Sequence, residues 1–422
     1  MKKRLVRTLA LPLALGVSGL AYASGAPDKE EGPLPSRAEM WDMIQKQQDQ
    51  IRELKAAVEG TKQGLGSAAK MAEEAAAKSA ANEKALEEKA GKKASWAEKI
   101  RLGGELKVVG SHTDTERTSN GSDVVVDTAK ISLGAEINDW TQAKVVLQHK
   151  EDGVTDNLVE VETGTITFGN LEKFPVYLTA GQFTLPFGNY ASMMPVSDTL
   201  PKVFAENPDS AVQVGFEKEG FYGSVLAFNG VTAPPGRNDN IDHFGGNVGY
   251  RATRGDLTYD LGGSYTSALE ESKTFAPSFT NILDHVGAVT GHLNVGYKQI
   301  TFNGEYLTAT EEFRSTELQW SGTPAKPSAW SAELGYTLDI LGKSTTFAGG
   351  IGGTGEALGL SQPEERYMAG IIMKVLENAS VGVEYLHAKA YDTTDTASLN
   401  GTAVNGTNND TRTGSVALAV TF

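Results

Sequence analysis

The 422-residue sequence predicts an all-β transmembrane barrel of about 16 antiparallel strands, preceded by an α-helical coiled coil. Three observations carry this. From Ile100 to the last residue, apolar and polar side chains alternate with period 2. The connections take turns between short and long. The chain ends on the alternating segment Val416-Ala417-Leu418-Ala419-Val420-Thr421-Phe422, closing on an aromatic residue.

Lys2, Lys3, Arg4 and Arg7, the apolar run Leu9 to Leu20, and Ala21-Tyr22-Ala23 predict a secretory signal over residues 1–23, removed on export. Residues 24–36 hold three of the 15 prolines and read as a linker. Over 37–93 the composition shifts to Ala, Glu, Lys and Gln, with apolar residues at Met40, Ile44, Ile51, Leu54, Val58 and Leu65 in heptad-like spacing. So polar a helix needs a partner, hence a coiled coil roughly 80 Å long at about 1.5 Å per residue. Gly60, Gly64 and Gly66 place a bend near its middle. A linker with transient helicity is the alternative.

In the barrel region, Leu102, Leu106 and Val108 alternate with Arg101, Glu105 and Lys107, and Ile131, Leu133, Ala135 and Ile137 alternate with Lys130, Ser132, Gly134 and Glu136. The pattern returns in Val212-Val214-Phe216, Leu257-Tyr259-Leu261-Tyr265, Ile300-Phe302-Tyr306, Trp330-Leu334-Tyr336 and Val381-Val383-Tyr385. Tyr259 and Tyr265, like Trp330 and Tyr336, sit roughly 20 Å apart along a strand, the spacing of two interfacial aromatic girdles. Short turns at Asn138-Asp139, Glu219-Gly220 and Leu376-Asn378 contrast with long loops near 184–210, 268–285, 310–328 and 388–411. The parity switches within 158–168, so 14 or 18 strands remain open. Both barrel ends then lie on the short-turn, periplasmic side, with the coil hanging there. Val416, Leu418, Val420 and Phe422 resemble the C-terminal signal that the barrel-insertion machinery recognises.

The composition excludes several classes. There is no cysteine, which removes disulfides, thiolate metal sites and a lipoprotein anchor. A net charge of −15 argues against nucleic acid as a partner. Residues 100–422 hold 21 Lys and Arg against 39 Asp and Glu, so the acidity belongs to the barrel and its loops. The six histidines show no H-x-x-x-H spacing, so no metal site is expected, and no cofactor is implied. Gly350-Ile351-Gly352-Gly353-Thr354-Gly355 lacks the βαβ context of a dinucleotide motif. No nucleophile motif points to an enzyme.

If the apolar parity faces lipid, the pore is lined by Arg101, Glu105, Lys107, Lys130, Glu136, Lys144, Arg251, Glu305, Glu333 and Glu384. Much of the remaining charge reads as solvated loop. The third long loop differs, with Leu185-Pro186-Phe187, Met193-Met194-Pro195 and Phe204 among its residues, so it packs against something. In general porins the third external loop folds into the lumen. By that resemblance Asp198, Lys202 and Glu206 are constriction candidates, with packing on the rim or at a subunit contact as the alternative.

Ala180-Gly181-Gln182-Phe183-Thr184-Leu185-Pro186-Phe187-Gly188-Asn189-Tyr190, Ser197-Asp198-Thr199-Leu200 and Ala227-Phe228-Asn229-Gly230 resemble the LbtU-type siderophore porins. The resemblance implies a signal peptide, a periplasmic coiled coil and ferric siderophore uptake without the globular plug of TonB-dependent receptors. The expected protein is therefore a porin of the Gram-negative outer membrane, contacting lipid and lipopolysaccharide and passing small solutes. Its coil predicts a homotrimer. A structural tether joining the membrane to peptidoglycan through that coil is the alternative.

Overall fold

A computed structural model describes residues 99–117, 120–149, 159–232, 241–279 and 282–422, together with five helical positions, Trp41, Gln45, Gln48, Arg52 and Lys55. The signal segment, the linker and the rest of the expected coil lie outside the described residues. The described residues form twenty strands: β1 (Ile100–Thr115), β2 (Gly121–Asn138), β3 (Thr141–His149), β4 (Val159–Gly169), β5 (Val176–Thr184), β6 (Pro208–Lys218), β7 (Phe221–Phe228), β8 (His243–Arg254), β9 (Leu257–Thr266) and β10 (Ala288–Tyr297). They continue as β11 (Ile300–Ala309), β12 (Leu318–Trp320), β13 (Thr323–Pro324), β14 (Ser328–Ile340), β15 (Lys343–Gly355), β16 (Glu365–Leu376), β17 (Ala379–Lys389), β18 (Thr396–Leu399), β19 (Thr402–Asn405) and β20 (Thr411–Thr421).

Sixteen of them close an antiparallel barrel in sequence order, β1 to β11, then β14 to β17, then β20, which pairs back onto β1. Closure leaves the barrel without a free strand edge, the condition for crossing a bilayer with strands. The remaining four, β13-β12-β18-β19, form a small sheet within the long connections. Leu102, Ile131, Leu133, Val214, Leu334, Tyr306 and Val383 are exposed on the outer wall, as the alternation requires. Tight turns are built where φ is positive at both central residues, Glu219-Gly220 and Leu341-Gly342, which matches the twist of the flanking strands.

The parity switch in 158–168 has a physical cause. Val146 pairs with Thr163 and Leu147 with Val161, so Glu162 is an extra, bulged residue. Val159 and Val161 before it, and Ile166 and Phe168 after it, are therefore all exposed on the outer wall. β2 carries the same device at Asp127, between Val126 and Thr128.

At the closing seam Phe422 and Gly104 exchange backbone hydrogen bonds of 2.9 and 3.1 Å. The Phe422 ring lies over Gly104, where a Cβ would fall 2.2 Å from the ring. An aromatic side chain thus fills the gap that a glycine leaves between Leu102 and Leu106. Gly104→Val is expected to displace the ring and lower the heat resistance of the folded band on a gel. Gly414→Val, which meets nothing within 4 Å, should leave it unchanged.

The long connections depart from the solvated loops that their charge suggests. Phe275, Phe279 and Ile282 from the β9–β10 connection, Phe313 and Leu318 from the β11–β14 connection, and Leu360 from the β15–β16 connection form one buried core. Phe204, on the short helix α1 (Leu200–Ala205), completes it. The core continues onto Ala288, Leu307, Ala309 and Ala329, at the long-connection ends of their strands. Apolar packing of this kind keeps the loops in one arrangement over one side of the barrel mouth.

Candidate functional site

The connection from β5 to β6, residues 185–207, runs along the inner wall. Its backbone is received by three carboxylates that the strand parity turns inward. Glu305 on β11 accepts the amides of Asn189 (2.9 Å) and Tyr190 (2.8 Å) and the Thr290 hydroxyl (3.0 Å). Glu333 on β14 accepts the Ser192 hydroxyl (2.9 Å) and the Met193 amide (2.5 Å). Glu384 on β17 accepts the amides of Val196 (2.8 Å) and Ser197 (3.0 Å) and the Ser197 hydroxyl. A charged acceptor makes each of these hydrogen bonds stronger than a neutral one.

Between the carboxylates the wall is bare. Added Cβ atoms would fall 2.4 Å from the Met193 sulfur at Gly335, 3.0 Å from Met368 and 3.4 Å from Met194 at Gly350, 2.9 Å from Pro195 at Gly370, and 2.4 Å from Pro195 at Gly382. The glycines make a lane across β14, β15, β16 and β17 in which the loop lies, and Met194 packs there with Ala348 and Met368.

The loop then enters α1, capped by Thr199, whose hydroxyl accepts the Lys202 amide, with a proline in the first turn. The helix seats Phe204 against Phe275, ring centroids 4.9 Å apart, and leaves Lys202 toward the open side. Lys202 pairs with Asp198 at 2.8 Å and Glu206 at 3.8 Å. Burial works against its charge, but the carboxylates of Asp198 and Glu206 outweigh that and raise its pKa above the ordinary lysine value. Lys202 and Glu206 line a cleft whose other wall carries Lys130, Gln148, Glu160, Glu162 and Gln182, with Asp209 and Lys273 beside it. Lys130 and Glu162 form an ion pair at 2.5 Å, and the Gln182 amide donates to the Val161 carbonyl at 2.9 Å.

Arg101 pairs with Glu136 at 2.5 Å, Lys107 with Asp127 at 3.1 Å, and Arg251 with Glu217 at 2.9 Å, its guanidinium 4.8 Å from the Tyr222 ring centre. Lys144 is exposed, and Glu105 lies opposite Lys130 in the ladder. Val416, Leu418, Val420 and Phe422 are exposed on the outer wall. Glu305, Glu333 and Glu384 require a correction. They point inward, but are only 8%, 2% and 3% exposed because the loop covers them, so they anchor a loop instead of lining open water. Glu160 and Glu162 escaped the sequence reading because a bulge shifts the parity of β4, Asp209 because it stands at the very start of β6, and Lys273 because a long connection carries it. Gly335, Gly350, Gly370 and Gly382, which share the inward parity of Glu333 and Glu384, were the signal that could have located the loop's seat.

No protein-family model matches the chain. It is similar to a UPF0422 protein of Coxiella burnetii, 26% identical over 305 residues, or 69% of this chain and 65% of that protein. A UPF0422 protein of Legionella pneumophila strain Paris is 26% identical over 334 residues, 73% of this chain and 62% of the relative. The matches thus span just under two thirds of these relatives. Among solved structures, the fold is similar to an anion-selective porin from Comamonas acidovorans (TM-score 0.53, 11% identity, 76% of this chain and 99% of that one). It is similar also to OmpF of Salmonella typhi (TM-score 0.51, 13% identity, 76% and 97%) and to the outer membrane channel DcaP of Acinetobacter baumannii (TM-score 0.50, 10% identity, 76% and 97%). The fold is that of the outer-membrane porins.

Proposed function

We propose that this chain is an outer-membrane porin, a water-filled channel for small hydrophilic solutes that is narrowed by the loop between β5 and β6. The observation that carries the reading is the seat of that loop: three inward carboxylates and a lane of glycines hold it inside a sixteen-stranded barrel. A barrel of this size encloses water. The loop confines passage to the side lined by Lys130, Lys202, Glu160, Glu162, Glu206 and Asp209. Acidic groups predominate there, which supports a cation preference. Asp198, Lys202 and Glu206 are the proposed constriction residues.

The finer reading is uptake of a ferric siderophore, supported by the sequence resemblance around residues 180–190, 197–200 and 227–230. β1 begins at the short-turn end of the barrel. This supports a coiled coil over 37–93 in the periplasm, where it would assemble a homotrimer. Planar-bilayer recording of the purified chain is expected to show stable open-channel current with a reversal potential on the cation side. Absence of conductance contradicts the channel.

A further inference from the structure

Two histidines far apart in sequence meet beside the cleft. His243 is the first residue of β8, and His285 lies in the β9–β10 connection. Their rings touch edge to face with centroids 4.3 Å apart. Glu271, from the same connection, brings Oε1 to 3.6 Å from His243 Nε2, and Asp242 brings Oδ1 to 3.4 Å from that nitrogen. These separations are too long for good hydrogen bonds, which run about 2.7–3.2 Å. They approach the edge of a tetrahedron around an ion bound at about 2.0–2.1 Å, roughly 3.3 Å. One ligand atom from each of His243, Glu271 and His285 lies within 4.8 Å of the other two.

Two further features point to an ion. His285 Nδ1 stands 2.6 Å from Glu270 Oε1, and the other oxygen of this fully buried carboxylate accepts the Val286 amide at 3.1 Å. With a carboxylate at Nδ1, the ring proton belongs there, and the lone pair is on Nε2. That nitrogen is buried and has no hydrogen-bond partner. A carboxylate orienting a histidine whose second nitrogen is free is the usual supporting arrangement of a metal-binding imidazole. Glu271 is likewise held in place, by the amides of Val231 (2.5 Å) and Thr232 (3.0 Å) and by the Thr232 hydroxyl. Gly230, at φ +77°, lets the chain pass where a Cβ would fall 2.6 Å from the Glu271 carboxyl carbon and 2.7 Å from the His243 ring.

We propose that His243 Nε2, His285 Nε2 and a Glu271 carboxylate oxygen form a binding site for a divalent transition metal, with Asp242 within reach as a fourth ligand and Glu270 as the positioning residue. Two imidazoles with a carboxylate suit zinc and its neighbours; calcium and magnesium prefer oxygen ligands throughout. The bound ion would tie the β7–β8 connection to the β9–β10 connection at the edge of the cleft.

The test uses the full chain without a histidine tag, folded in detergent and stripped with chelator. Titration with zinc sulfate, followed by calorimetry, is expected to show one saturable equivalent per chain, and cobalt(II) should give the visible bands of a tetrahedral nitrogen and oxygen site. His243→Ala and His285→Ala should each abolish the equivalent. Glu270→Gln should weaken it about 10–100-fold, while His112→Ala and His387→Ala leave it intact. Zinc affinity unchanged in both ligand variants overturns the proposal. So does a wild-type chain with no saturable zinc binding or no tetrahedral cobalt spectrum, a result that depends on no variant folding.

Discussion

Glu384→Ala is expected to raise single-channel conductance and add open-state noise, because it releases the middle of the β5–β6 loop. The Val196 and Ser197 amides and the Ser197 hydroxyl all lose their acceptor. Each of these half-buried groups loses a hydrogen bond to a charged acceptor, about 1.5–3 kcal/mol, and the packing of Pro195 over Gly370 and Gly382 is left to oppose the entropy of a freed loop. The barrel ladder is untouched, so the folded band on a gel should persist. Proteolytic nicking within 190–198 provides the second readout. Conductance and nicking equal to wild type would show that the carboxylate does not anchor the loop.

Lys202→Glu is expected to increase the cation-to-anion permeability ratio severalfold, read from the reversal potential across a potassium chloride gradient. The substitution removes the cation between Asp198 and Glu206 and sets a third carboxylate beside them, facing Glu160 and Glu162 across the cleft. Ion pairs that reach water contribute little to stability, about 0–1 kcal/mol, so the effect belongs to permeation and not to folding. It should shrink as salt rises, since the Debye length falls from about 10 Å at 0.1 M to about 3 Å at 1 M. An unchanged reversal potential at low salt would remove Lys202 from the permeation path.

The outer wall was legible in the sequence because lipid imposes a strict rule: a residue such as Leu133, Leu334 or Val383 on that face must be apolar. The alternation and the outward Trp330 and Tyr336 follow from it, while the turn at Glu219-Gly220 follows from the positive φ its backbone needs. The inner wall obeys no such rule. Glu333 lining water and Glu333 holding a loop amide look the same in a string of letters, and only the covering loop tells them apart. The bulge at Glu162 concealed the register of β4, since one inserted residue reverses the faces. The apolar residues of the third loop showed that it packs, while Gly335, Gly350, Gly370 and Gly382 show where. His243 and His285 stayed hidden because the fold, and not their spacing, brings them together.

Single-channel conductance of the full chain beside a variant with residues 190–203 replaced by a short Gly-Ser linker tests the constricted porin most directly. Stable channels in both, with a severalfold larger conductance in the variant, are expected. Equal conductance, or no conductance from either chain, would contradict a porin whose passage is set by the loop between β5 and β6.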